Sequence, residues 1–548
     1  VLSSAASDVY KRQTQAPSPR PATRLSHVPM HAAHPLQIVW FKRDLRHLDH
    51  DPLAAAASRG PVLPLYIVEP VLWREPDVAG RHWAFIRDSL VELRTALAAM
   101  GQPLVIRRGV ATSVLEDLRQ AHPIGALWSH METGNAWTFA RDSTVAAWAK
   151  AHGIPWHEHR QFGVFRGLRD RAGWAGRWNR LMRRAALPPP RELATLPAID
   201  AGRIPTSPDP ALPDDPCPLR QPGGRMAGRA LLESFLDRRG RSYRAAMASP
   251  LEGETACSRL SAHLAYGTLS MREVYQSIRA QEATIDSLPE TERRTWAGSL
   301  AAFAARLHWH CHFIQKLESE PAIEHRNFHP AYDGLRVTDP ELLAAWADGR
   351  TGWPFVDACM RMLQATGWLN FRMRAMLMAV AGYQLFMHWR EPGLVLARRF
   401  LDYEPGIHWS QCQMQSGTTG INTVRIYNPT KQGRDQDPLG IFTRRWCTEL
   451  AQVPLSHLFA PWTMPDTLQV QSGCRIGQDY PAPVVDQAAT ARRAREAVWG
   501  VRQRVGFDRM AEAVQQRHGS RRAGIRRSAA RRTGRNRLGS RLASDQLS

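Results

Sequence analysis

The sequence holds no run approaching the roughly 18 consecutive apolar residues that a membrane span requires, and its longest candidate, residues 375–387, reads as a buried helix. Cysteine is scarce: seven residues, at 217, 257, 311, 359, 412, 447 and 474, with no CxxC pair among them. That spacing argues against a disulfide framework and a zinc site, so no metal is expected and an intracellular, cytoplasmic setting is. The first 34 residues lack the apolar core of a signal peptide and are set apart as a disordered or non-native leader. Acidic residues are also short, 50 against 72 Lys and Arg, giving a formal charge of +22. The Arg-rich residues 519–548, read as a disordered tail, account for +8 of this, so the remaining body is basic as well. Such a balance favours polyanionic partners, nucleic acid above all, although an Arg-rich composition alone would give the same sum.

What is present falls into two patterns. From 35 to 161, β-rich runs at 36–41, 61–68, 103–107, 125–129 and 154–159 alternate with segments of helical spacing at 82–100, 113–121 and 137–151. Strand–helix alternation predicts a doubly wound parallel sheet. The first strand is followed by KRDLRHLDHDP rather than GxGxxG, which excludes a dinucleotide fingerprint. Residues 162–222, rich in Pro, Asp and Arg, read as a linker crossing the surface. From 223 to 485 the pattern is helical, with segments at 229–239, 270–280, 300–317, 354–365, 371–387 and 394–401, and a charged helical stretch follows at 488–516. The expected architecture is an α/β domain, a linker, and a larger all-α domain.

Four segments, in order, carry a resemblance. They are IVWFKRDLRHLDHDPL from Ile38, RSYRAAM with CSRLSAHLAYGTLS (257–270), WADGRTGWPFVDACMRMLQATGWLNFRMR (346–374) and RIYNPTKQG (425–433). Together they resemble the DNA photolyase/cryptochrome family. The resemblance implies a noncovalent FAD in the helical domain and, on the α/β domain, a possible antenna chromophore, folate or deazaflavin, that no residue identifies. It places Tyr243 against the phosphates or ribose, the segment Cys257, Ser258, Arg259, Leu260 and Ser261 at the pyrophosphate, and Arg374, Asp402, Tyr403, Glu404 and His408 around the flavin. The residue chemistry agrees: serine hydroxyls and N–H groups near a helix start suit a pyrophosphate, although SRLS alone reads equally as a plain N-cap. A buried Arg374 would offset charge on a reduced flavin and needs its own carboxylate, Asp402. Trp309 matches the tryptophan of the substrate cavity, where an aromatic plane stacks on an extruded pyrimidine pair. His308, His310 and His312 alternate at i, i+2, a spacing that suits opposite helix faces rather than one metal.

The departures from the family bear on function. Of its tryptophan wire, the middle position is kept as Trp389; the flavin-proximal one falls on Cys412 and the surface one near Arg336, so an alternative route through Trp409, Tyr403 or Tyr383 is expected. His408 stands at the position facing flavin N5, where it would donate a proton. The family's lesion-contacting Glu falls on Arg306 and its Asn on Phe371, with Asn370 one residue earlier, while Arg372 keeps its basic group. Three readings stay open: a monomeric photolyase acting on UV-damaged DNA, a cryptochrome-type photoreceptor, and a flavin-bearing nucleic-acid-binding protein without a photocycle.

Overall fold

The central apolar runs become strands because their β-branched and aromatic residues are buried on both faces, while the edge strand at 156–159 is only half-buried. In the computed structural model, which describes residues 35–168, 170–196 and 199–519, these are β1 Leu36–Phe41, β2 Val62–Val68, β3 Val105–Arg108, β4 Ile124–His130 and β5 Trp156–His159. All pairings are parallel, in the order β3-β2-β1-β4-β5. Helices α1 Asp51–Ala57 and α2 Gly80–Ala99 pack on the face bearing Val39, Phe41 and Tyr66. Helices α3 Ala111–Ala121 and α4 Ala136–Ala151 cover Ile38, Trp40 and Leu65 on the other. The sheet is therefore doubly wound, with its switch point between β1 and β4, where crevices form outside the strands' C-terminal ends.

The region read as a bare linker holds a helix, Trp174–Met182, whose Trp174, Trp178 and Met182 recur at helical spacing and are buried. They join the core of the helical region beside Phe235, Leu269 and Leu300, whereas Leu193, Leu196, Ile204 and Leu212 later in the segment pack on the α/β region.

The helical region is organised by a 30-residue helix, Glu290–Ser319. It begins ten residues before the expected start, with Glu290 and Glu292 complementing the positive end of its dipole. Helix Pro354–Thr366 starts on Pro at N1, where the missing N–H costs nothing, and stops at Gly367, whose φ of +70° favours glycine. A Cβ on Gly367 would meet that of Leu401 at 2.9 Å, and the Gly367 carbonyl accepts from Leu401 N–H at 2.9 Å. This close approach sets the start of the next helix, Phe371–Ala379, beside the 400–402 turn. The expected helix over 371–387 gives way after Ala379 to one π-helical turn, Val380–Gln384. The charged stretch near the end forms two helices, Gln487–Arg502 and Phe507–His518, separated at Gly506, whose φ is +83°. The leader and the Arg-rich tail beyond residue 519 lie outside the described residues. Among the described residues, no helix is long and apolar enough to cross a membrane.

Candidate functional site

Helix Phe371–Ala379 presents Arg374 to the turn that precedes helix Pro405–Ser416. There Arg374 Nη1 and Nη2 donate to the two oxygens of Asp402, both at 2.9 Å, a fork geometry that only Arg supplies. Arg374 Nε is held by the Leu369 carbonyl at 2.7 Å, and the guanidinium lies 4.1 Å above the Phe400 ring. Burial alone would raise the Asp402 carboxyl; the Arg374 charge and hydrogen bonds from Arg374 and Ser261 outweigh it, and the pKa falls below the usual value. Arg374 and Asp402, 28 positions apart, thus pair directly, and Ser261, more than a hundred positions earlier, acts on the same carboxyl.

The segment 257–261 borders this group with an excess of positive charge. Arg259 adopts φ +61°, rare for a side chain with a Cβ and a form of strain that collects at binding sites. Its guanidinium lies 4.1 Å over Trp368, and its Nε is buried without a partner. Ser258 Oγ accepts from Leu260 N–H at 3.4 Å, the local turn that SRLS would make in isolation. Leu260 is buried, and burial pushes the Cys257 thiol up to about 11 against the pull of Arg259, Arg239, Arg374 and Arg306. Tyr243 packs between Phe235 and Phe303, with ring centroids 5.7 and 5.9 Å away, and burial pushes its hydroxyl up to about 12 against the pull of Arg306. A buried guanidinium with an open donor, serine hydroxyls and one paired carboxylate form a donor set that fits a pyrophosphate and an electron-rich ring.

Two expected pocket residues are used differently. The Tyr403 hydroxyl donates to Asp77 at 2.6 Å and its carbonyl accepts from Arg43 at 2.6 Å, so it ties the helical region to the α/β region. Glu404 also turns to Arg43, at 3.4 Å, and burial pushes its carboxyl up to about 7 despite that cation. His408 is buried, with burial taking its pKa down to about 4. Its Nε2 lies 2.7 Å from the Gly393 carbonyl, so that nitrogen carries the proton and Nδ1 is left an acceptor. The expected proton donor is therefore a neutral imidazole whose proton is already engaged.

Behind His408 lies a pair of indoles. Trp409 is 4.8 Å from the His408 ring and 5.8 Å from Trp389, both tryptophans being fully buried. Trp389 Nε1 donates to Asn327 at 2.7 Å. Cys412 carries no aromatic ring but sits against His408 at 3.5 Å. Arg336, at the expected surface position, is buried against Tyr383 and Phe386 at 5.4 and 5.3 Å.

At the surface, Trp309 is 39% exposed and stacks on Phe313 at 5.8 Å. Arg306, one turn earlier, lies 5.6 Å over the exposed Phe371 ring, and Arg372 is half-buried on the neighbouring helix. Asn370 does not reach this rim. It is buried, its amide donating to the Met247 and Ala248 carbonyls at 3.1 and 3.0 Å, which explains why it cannot replace the substituted lesion contact at 371. Of the three histidines of the long helix, His308 and His312, one turn apart, both meet Trp174, with His312 also against Trp309, whereas His310 packs on Phe162. Among the described residues, the ligand atoms that converge are those of Asp44, His50 and His130, where the carboxylate accepts from both rings at 2.9 and 2.7 Å.

A second opening of about 750 Å³ lies at the β1/β4 switch point, lined among others by Trp40, Lys42, Tyr66, Trp73, Arg141 and Tyr403. Sequence reasoning missed this crevice and its ties, Arg43 and Asp77, because partners 326 to 361 residues apart leave no local signal.

Residues 303–500 match the model of the FAD-binding domain of DNA photolyase, and residues 37–166 that of DNA photolyase. Over 494 residues the chain is 31% identical to the deoxyribodipyrimidine photo-lyase of Streptomyces griseus, covering 84% of this chain and 98% of that protein. Over 495 residues it is 29% identical to the cryptochrome DASH of Gloeobacter violaceus, covering 83% and 95% respectively. The fold matches the crystal structure of a bacterial class III photolyase from Agrobacterium tumefaciens with a TM-score of 0.77 and 24% identity, over 87% of this chain and all of that one.

Proposed function

The chain belongs to the photolyase/cryptochrome family, and from that premise we propose that it is a blue-light-driven DNA photolyase that splits UV-induced pyrimidine dimers. The observation that carries this reading is the half-buried Arg374–Asp402 pair beside Ser261 within a cationic surround, on the same helical body as the exposed Trp309. Reduced FAD, once bound and excited, supplies an electron to the dimer and recovers it after the ring opens.

The residues of the chain do the rest. Ser258, Arg259 and Ser261 bind the pyrophosphate, and Tyr243 packs alongside. Arg374, fixed by Asp402, holds positive charge beside the ring, which favours the anionic reduced form. His408, neutral and locked on the Gly393 carbonyl, offers an acceptor rather than a proton. Trp309 supplies an aromatic plane for the extruded bases, and Arg306 and Arg372 supply positive charge at the rim. The crevice at the β1/β4 switch point is the seat we assign to an antenna chromophore, folate or deazaflavin, because its aromatic walls suit a planar ring.

One observation favours the cryptochrome-type photoreceptor instead. At the rim Arg306 pairs with Phe371, so the two positions that would grip a cyclobutane dimer engage each other. Repair separates the readings: photoreduced protein and a UV-damaged thymine oligonucleotide are illuminated and intact thymine is followed. Recovery supports the lyase; none with either dimer class, alongside a complete flavin photocycle, supports the receptor.

A further inference from the structure

Around His312 of helix Glu290–Ser319, whose ring also meets Trp174 of helix Trp174–Met182, two buried cations lie without a counter-charge among the described residues. Arg171 is 8% exposed, and its Nε, Nη1 and Nη2 are all buried without a hydrogen-bond partner. Lys316 is 7% exposed, its Nζ 4.9 Å from the Phe313 ring and 5.7 Å from Phe328. Among the described residues neither forms an ion pair. Glu320, one turn beyond Lys316, is taken by His518 at 2.6 Å and Arg517 at 3.0 Å.

The other walls are aromatic or add positive charge. Trp174 lies 6.0 Å from the Arg171 guanidinium and meets the His308 and His312 rings at 4.7 and 5.9 Å; Phe328 meets His518 at 5.0 Å. Burial, reinforced by Arg171, takes the Lys316 ammonium down to about 7, and burial with Lys316 and Arg171 takes His312 down to about 2. Arg171 has no such escape, because a guanidinium stays protonated. A buried charge without a partner is costly, and none of the described residues pairs with this one.

We propose that Arg171 and Lys316 together bind a phosphate group beside His312. A guanidinium with its whole donor fork open, near an ammonium, matches a doubly charged tetrahedral oxyanion in charge and, through the fork, in hydrogen-bond geometry. The group has two available sources: free phosphate, or a backbone phosphate of a nucleic acid lying on the exposed Trp309, which stacks on the same Phe313 that covers Lys316. The site is separate from the flavin pocket and does not depend on the repair reading.

The test uses the full-length, flavin-loaded protein in phosphate-free buffer at fixed ionic strength, titrated with inorganic phosphate and, separately, with chloride. Phosphate, not chloride, raises Tm by about 2 °C or more near saturation. Arg171→Gln and Lys316→Met abolish the rise, whereas Lys316→Arg retains it. Without phosphate, Lys316→Met is at least as stable as wild type, because it removes an unpaired buried cation. Flavin content reports that each variant folds. An undamaged oligonucleotide that displaces phosphate, and binds both neutral variants more weakly, assigns the group to a nucleic-acid backbone; displacement by free phosphate alone assigns it to a small anion. No phosphate-specific rise in wild type, or an equal rise in the neutral variants, overturns the proposal.

Discussion

The indoles of Trp389 and Trp409 meet at 5.8 Å and 69°, fully buried, with Trp409 4.8 Å from the His408 ring. Trp409 stands one helical turn before Cys412, the position where the family's proximal tryptophan is missing. We propose that the electron path to the flavin runs through this pair instead. Trp409→Phe and Trp389→Phe are expected to slow blue-light reduction of the bound flavin in the presence of a thiol, while Cys412→Ser leaves it near wild type. Equal rates in all three variants would place the route elsewhere.

The Arg374–Asp402 pair is expected to matter for both stability and cofactor. Removing one partner of a buried pair costs roughly 3–5 kcal/mol because the other charge is stranded. Asp402→Ala and Arg374→Ala should therefore yield colourless, less stable protein, read by absorbance after purification and by Tm. Stoichiometric FAD in either variant would move the pocket away from this pair.

Stability should fall steeply on acidification. His82, His263, His310 and His408 are each driven by burial to about 4, and His130 to about 3. Their lowered folded pKa values mean that the unfolded chain takes up more protons, so stability present above about 6.5 is lost as pH drops towards 4. Glu404 acts in the opposite direction. Its carboxyl, raised by burial to about 7, contributes stability below its unfolded value that disappears as pH rises through 7. Glu404→Gln should raise Tm at pH 8 relative to wild type and leave it nearly unchanged at pH 5; thermal melts across that range check both signs.

Trp309→Ala is expected to weaken binding of UV-damaged oligonucleotide by about 1–3 kcal/mol, the contribution of an aromatic stacking platform, while leaving flavin content unchanged. Binding titrations at two salt concentrations separate this loss from the electrostatic share, which falls as salt rises.

How much of this was legible in the sequence varies with the range of the interactions. Strands β1 to β5 followed from short apolar runs because both faces of a parallel sheet are covered. The helix Trp174–Met182 escaped notice because Gly167, Gly173 and abundant Arg gave the segment the look of a loop; its signal was the i, i+4, i+8 series Trp174, Trp178, Met182. The long helix was read only from Leu300 because its first ten residues are mostly polar, although Trp296 is buried. Arg374 with Asp402 was reached through the resemblance, and the geometry agrees. The partners that Tyr403 and Asn370 hold, Asp77 and the 247–248 carbonyls, had no sequence signal because they lie more than a hundred residues away. The unpaired Arg171 is equally invisible in sequence, since an arginine's missing partner shows only in three dimensions.

The central claim is that this pocket uses light to reverse UV damage. The most direct measurement is recovery of intact thymine from a dimer-bearing oligonucleotide incubated with the photoreduced protein under blue light, against a dark control. The account predicts light-dependent recovery that Trp309→Ala weakens and Arg374→Ala abolishes; a protein that cycles its flavin yet restores neither cyclobutane nor (6-4) lesions would contradict it.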